Sequence, residues 1–241
     1  MASSYADFAE QANPRTLAEA RRAGFRQATR VHDSWFATIE KRALVWIAER
    51  MPSWVNSDHL TVLGFAAQIA TGVCYALAAR DRRMLLVAII CLVVNWFGDS
   101  LDGTLARVRQ KQRPRYGFYV DHILDSFGSV ALMGGLTLSG YMHPVIAVGL
   151  LVAFLLLSIQ SYLATYTLGE FHLSFWRFGP TELRVLLAIG NLALFRWVWV
   201  LHGRYRLFDI GGAIGLAGMT LMLIVVTWKN TATLYREERI G

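Results

Sequence analysis

Charge is what this chain has least of. Only 17% of its 241 residues are Asp, Glu, Lys or Arg, against 55% hydrophobic, whereas soluble domains carry nearer a quarter charged. That deficit argues against a soluble globular protein and for lipid as the solvent. Cysteine is scarce as well. Cys74 and Cys91 each lie inside an apolar run, where packed thiols outweigh a disulfide or a soft-metal site. The first 58 residues hold no apolar core of signal-peptide type, so the first apolar run is expected to be a retained helix. No repeat or low-complexity tract occurs. Nor is there a pair of broken helices of the sort that marks inverted-repeat transporters.

What is abundant is long apolar sequence. Runs at about 59–79, 84–106, 117–140, 144–168, 182–201 and 208–228 are each long enough to cross a hydrocarbon core of about 30 Å, although one is interrupted by carboxylates. The expected fold is an all-α integral membrane protein of six transmembrane helices. Residues 1–58 form a cytoplasmic N-terminal segment, 59–228 the transmembrane domain and 229–241 a cytoplasmic tail.

The net charge of +7 could indicate nucleic acid, but placement decides for a membrane. Of the 24 Lys and Arg, 17 fall before the first run, between the second and third, between the fourth and fifth, or after the last. Those positions share one side, which the positive-inside rule makes cytoplasmic. Arg80, Arg82 and Arg83 count against that orientation. No nucleic-acid partner is expected.

From Asp33 to Met51 the apolar residues Trp35, Phe36, Ile39, Ala43, Leu44, Trp46 and Ile47 recur near a helical period. This predicts an amphipathic helix, lying at the membrane interface or packed on the protein. Pro52 ends it, and Ser57 or Asp58 is placed to cap the next helix.

The informative stretch is Gly98 to Gly128, GDSLDGTLARVRQKQRPRYGFYVDHILDSFG. Asp99, Asp102 and Ala106 fall at i, i+3 and i+7, and Asp121 and Asp125 at i and i+4, so each helix presents its two carboxylates on one face. Carboxylates in or near hydrocarbon are costly and usually functional. Four together repel unless a cation neutralises them, and the second and third runs contain no lysine. Mg²⁺ or Mn²⁺ suits such hard oxygen ligands, one or two ions held between two helices.

Gly103 and Ala106 remove bulk beside Asp102, allowing a nucleotide close to the backbone; tight helix packing is the alternative. Arg107, one turn past Gly103, is placed to grip a diphosphate. Arg109, Lys111, Arg113 and Arg115 raise positive potential there or anchor the loop at the membrane.

The pattern Asp99-x2-Asp102-Gly103-x2-Ala106-Arg107-x9-Gly117-x3-Asp121-x3-Asp125 resembles the signature of the CDP-alcohol phosphatidyltransferase family. The resemblance implies a homodimeric membrane enzyme of phospholipid synthesis. In it Asp99, Asp102, Asp121 and Asp125 hold two metal ions on the donor's diphosphate, and Asp125 doubles as general base. Gly103, Ala106, Arg107 and Gly117 would hold the CDP. Asp58 and Thr61 lie where the family has a Pro-Asn-x-x-Thr segment near the nucleotide, with Asp58 replacing Asn and the Pro absent. The run Asp121-His122-Ile123-Leu124-Asp125-Ser126 resembles choline and ethanolamine phosphotransferases, although those enzymes are longer and the compact layout resembles bacterial members. CDP-diacylglycerol with a polar alcohol, and CDP-choline or CDP-ethanolamine with diacylglycerol, both stay open. A bacterial inner membrane with the site facing the cytoplasm is the expected location.

His122 points away from the carboxylate face, which favours packing or hydrogen bonding over ligation. Arg177, Glu182 and Arg184 bracket Pro180 and are candidates for the acceptor's phosphate, or else a helix start with its salt bridge. The rival class is an ion- or proton-coupled transporter whose aspartates bind its cargo.

Overall fold

The computed structural model describes residues 29–30, 37–168, 170–171 and 180–239. Seven helices dominate them: Ala37–Arg50 (α1), Ser57–Ala78 (α2), Met84–Val108 (α3), Pro114–Ser139 (α4), Pro144–Leu168 (α5), Pro180–Arg196 (α6) and Leu207–Glu237 (α7). Three begin on proline, whose fixed φ suits the first helical position and whose missing N–H costs nothing there. Gly140 closes α4 at φ 73°, a left-handed cap that glycine adopts without strain. The remaining regular structure is two short strand pairs, Thr29–Arg30 with Glu170–Phe171 and Trp199–Val200 with Tyr205–Arg206.

All six apolar runs fall on helices, and four of these helices, α2, α3, α5 and α7, are long and apolar enough to cross a membrane. Two local expectations need correction. The fifth run was expected to continue to residue 201, but α6 ends at Arg196 and a hairpin follows, turned by Leu201, His202 and Gly203 at positive φ. The cap of α2 is Asn56 rather than Ser57 or Asp58. Asn56 is extended (φ −105°, ψ 161°), and its N–H donates to His59 Nδ1 at 3.2 Å.

α2 is the centre of the fold and packs on both α3 and α4. Glycine permits both approaches. A methyl on Gly98 of α3 would stand 2.6 Å from the backbone of Leu60 and Gly64 on α2, and one on Gly135 of α4 would collide with the Gly72 carbonyl. Backbones this close gain dispersion contact without bulky side chains, the usual way helices associate in lipid. α5 then packs on α4 and α7, α6 on α3, and α1 on α3.

Leu44 and Ala48 of α1 are buried with Leu60, Leu101 and Leu105, while Trp46 is 58% exposed. Trp35 and Phe36 lie outside the described residues. Polar side chains also join helices. Tyr75, fully buried on α2, donates to Asn191 Oδ1 on α6 at 3.0 Å.

Candidate active site

The two acidic faces do meet, although not by direct packing of α3 on α4. Both helices pack chiefly on α2, and the carboxylates converge in the groove this leaves. Oxygens of Asp99, Asp121 and Asp125 lie within 4.8 Å of one another. Asp102 lines the same cleft, together with Thr61, Gly64, Gln68 and Asn95. The space enclosed is about 20 Å³, room for a water or a small cation and not for a nucleotide. Three carboxylates converging on such a space match the hard, all-oxygen donor set that Mg²⁺ and Mn²⁺ take.

α2 orients Asp102. Thr61 Oγ1 donates to its Oδ2 at 2.6 Å, and Ser57 Oγ donates to its carbonyl at 2.9 Å. Asp99 is met by the protein's own cation: Arg184 NH2 lies 2.6 Å from Asp99 Oδ2. The same guanidinium donates through Nε to Asn95 Oδ1 at 2.7 Å, and Asn95 Nδ2 in turn donates to the Gly64 carbonyl at 2.9 Å. A bidentate hold of this kind fixes the planar guanidinium in place.

Gly103 faces open space apart from the Arg107 guanidinium, whose nearest nitrogen would be 3.5 Å from a Cβ built there, and Gly117 has nothing within 4 Å of such a Cβ. Both positions therefore leave space that a side chain would occupy. Arg107 itself donates to Thr104 Oγ1 at 3.0 Å, and Ala106 stands beside it on the last turns of α3.

Asp58, in the first turn of α2, is ion-paired with Arg113. Arg109 is used structurally, donating to the Met51, Pro52 and Val55 carbonyls between α1 and α2. His122 donates from Nδ1 to the Phe118 carbonyl (2.7 Å) and stacks on the Phe118 ring at 4.3 Å, a packing role. Glu182 stands in the first turn of α6 and is not among the residues lining the cleft, and Arg177 lies outside the described residues.

A family model described as CDP-alcohol phosphatidyltransferase matches residues 54–232, a stretch that holds all four aspartates, Arg107 and Arg184. The chain belongs to the CDP-alcohol phosphatidyltransferase family. It is therefore a member of a transferase family whose chemistry is phosphotransfer from a CDP-alcohol, and one that generally depends on divalent metal. With four apolar helices long enough to span, it is an integral membrane protein.

Three features of this CDP-alcohol phosphatidyltransferase were missed from sequence. Asn95 is buried and links α2, α3 and α6; its signal was a polar residue one turn before Asp99 in an otherwise apolar run. Gly64 and Gly98 set the helix approach, and small residues at matching depth in two spans were the available clue. Glu40 of α1 accepts from α3 and α6, and nothing in its local sequence distinguishes it from a solvated charge.

Proposed function

We propose that the protein transfers a substituted phosphate from a CDP-linked donor to an alcohol, releasing CMP, as a step of phospholipid synthesis. The convergence of Asp99, Asp121 and Asp125 from two helices carries this reading. Phosphoryl transfer needs positioning and neutralised charge more than covalent chemistry from the protein. Bound Mg²⁺ or Mn²⁺, two ions per site, would supply that neutralisation at the donor's diphosphate. Asp99, Asp102, Asp121 and Asp125 are the residues that would hold them.

The nucleotide lies outside the small enclosed space, over Gly103, Ala106 and Gly117, with Arg107 on a phosphate and Thr61 and Asp58 at the edge. Asp125 takes the proton from the acceptor hydroxyl. As the hydroxyl oxygen bonds to phosphorus, the phosphorus–oxygen bond to CMP breaks and CMP leaves with the electron pair. Arg184, which reaches the cleft through Asp99, would meet an anionic group of the acceptor, with Glu182 and Arg177 as further candidates.

The membrane arrangement proposed is six spans with α1 at the interface. α4 has 26 residues, about 39 Å at 1.5 Å per residue, so its length suffices, while its carboxylates, Arg115 and His122 lower its hydropathy. α6, at 17 residues or about 25 Å, is short and crosses a locally thinned or tilted region. The site then faces the cytoplasm of a bacterial inner membrane, in a homodimer. Clustering of the carboxylates at one end of two helices favours this over a transporter, whose acidic groups would be distributed along a path.

The test is CMP release by purified protein with Mg²⁺ or Mn²⁺. CDP-diacylglycerol with a panel of polar alcohols forms one arm, and CDP-choline or CDP-ethanolamine with diacylglycerol the other. Metal-dependent CMP release in one arm assigns the donor class. No release in either arm contradicts the proposal.

A further inference from the structure

Glu40 lies in α1, outside the segment that the family model matches, yet one of its oxygens collects three donors from two other helices. Oε1 accepts from Trp96 Nε1 at 2.7 Å, from Ser100 Oγ at 3.3 Å and from Thr181 Oγ1 at 3.3 Å. Trp96 and Ser100 follow Asn95 and Asp99 by one residue each along α3. Thr181 precedes Arg184 by one turn of α6. The same two helices are therefore joined twice, through Glu40 on one side and through Arg184 to Asn95 and Asp99 on the other.

From this we infer that Glu40 is a positioning residue, a clamp that holds the first turn of α6 against α3 and so sets the reach of Arg184 to Asp99. The inference rests on Asp99 being a metal ligand, as proposed above. A guanidinium 2.6 Å from Asp99 Oδ2 and a divalent cation neutralise the same carboxylate, so the two compete. The firmer the clamp, the better Arg184 competes. Through Glu40, the helix that packs outside the bundle tunes the affinity of the metal site.

Mn²⁺ binding, read by electron paramagnetic resonance on the full chain in lipid nanodiscs, tests this without relying on turnover. Arg184→Gln should tighten Mn²⁺ on the order of tenfold by removing the competing charge. Thr181→Val, which keeps the side-chain shape and both bonds from α3 to Glu40, should tighten it in the same direction by at least about threefold. The double variant should match Arg184→Gln alone, since both changes act through one guanidinium. Glu40→Ala should follow Thr181→Val; if that variant fails to fold, Thr181→Val carries the test. A purely structural role would lower the melting temperature and leave Mn²⁺ affinity where it was, and that result, or additivity in the double variant, overturns the inference. Absence of Mn²⁺ binding by the unaltered protein would overturn the metal reading itself and this inference with it, whereas unaltered affinity in Thr181→Val overturns the clamp alone.

Discussion

Asp102 is held from two directions by α2, its carboxylate by the Thr61 hydroxyl at 2.6 Å and its carbonyl by Ser57 at 2.9 Å. Groups that orient a metal ligand in this way typically matter about 10- to 100-fold for metal affinity or activity. Thr61→Val is accordingly expected to weaken Mn²⁺ binding by roughly that factor with little change in melting temperature; calorimetric titration beside a thermal melt separates the two. Asp125 carries a different burden, because in the proposed reaction it takes the acceptor's proton. Asp125→Asn keeps the shape and loses the base, so CMP release should fall about 10²- to 10⁴-fold while CDP-donor binding, followed with a radiolabelled nucleotide, persists. Full activity in that variant would remove Asp125 from the mechanism.

At the scale of the elements, the site exists because α3 and α4 both pack on α2, which brings their carboxylates together. Gly135 and Gly134 make a matched pair for testing this. A Cβ at Gly135 collides with the Gly72 carbonyl, whereas one at Gly134 meets nothing within 4 Å. Gly135→Ala is expected to cost about 1–3 kcal/mol or more and to reduce CMP release by separating α2 from α4. Gly134→Ala should be neutral or slightly stabilising, since alanine favours helix by up to about 1 kcal/mol over glycine. Equal melts for the two variants would refute the close-approach account.

Much of this geometry was legible beforehand. The i, i+3 and i, i+4 spacing of the aspartates fixed which faces carry charge, because helical periodicity is local. What could not be read was the third helix between them, since Gly64, Gly72, Gly98 and Gly135 say that something approaches and not what approaches. The partnership of Arg184 with Asn95 and Asp99 joins positions 85 and 89 residues apart, and no local pattern encodes such a distance. The early end of α6 was hidden for a related reason: Trp197, Val198, Trp199 and Val200 continue the apolar run, and only the positive φ values that follow turn the chain.

Over the whole molecule, side-chain and backbone bonds sort the loops into two ends. Asp58 pairs with Arg113, Arg109 with the α1–α2 turn and Thr181 with Glu40, all at the end that bears the carboxylates. At the other end Tyr141 donates to the Ala78 carbonyl at 3.3 Å, Arg82 to the Phe195 carbonyl at 3.4 Å, and the His143 N–H to Asp209. The first end is also the one rich in Lys and Arg, which by the positive-inside rule supports the cytoplasmic orientation proposed above. In a background with Cys74 and Cys91 replaced by Ser, an impermeant maleimide added to sealed right-side-out vesicles should label His202→Cys and spare Lys111→Cys; the reverse pattern would invert the topology.

The central claim is that carboxylates from two separate helices work as one metal-dependent centre for transfer from a CDP-linked donor. Its most direct test is the rate of CMP release by Asp121→Ala, which takes one carboxylate from α4 and leaves both of those on α3 in place. With saturating Mg²⁺ the account predicts a fall of at least about a hundredfold relative to the unaltered protein. A rate close to that of the unaltered protein would contradict it.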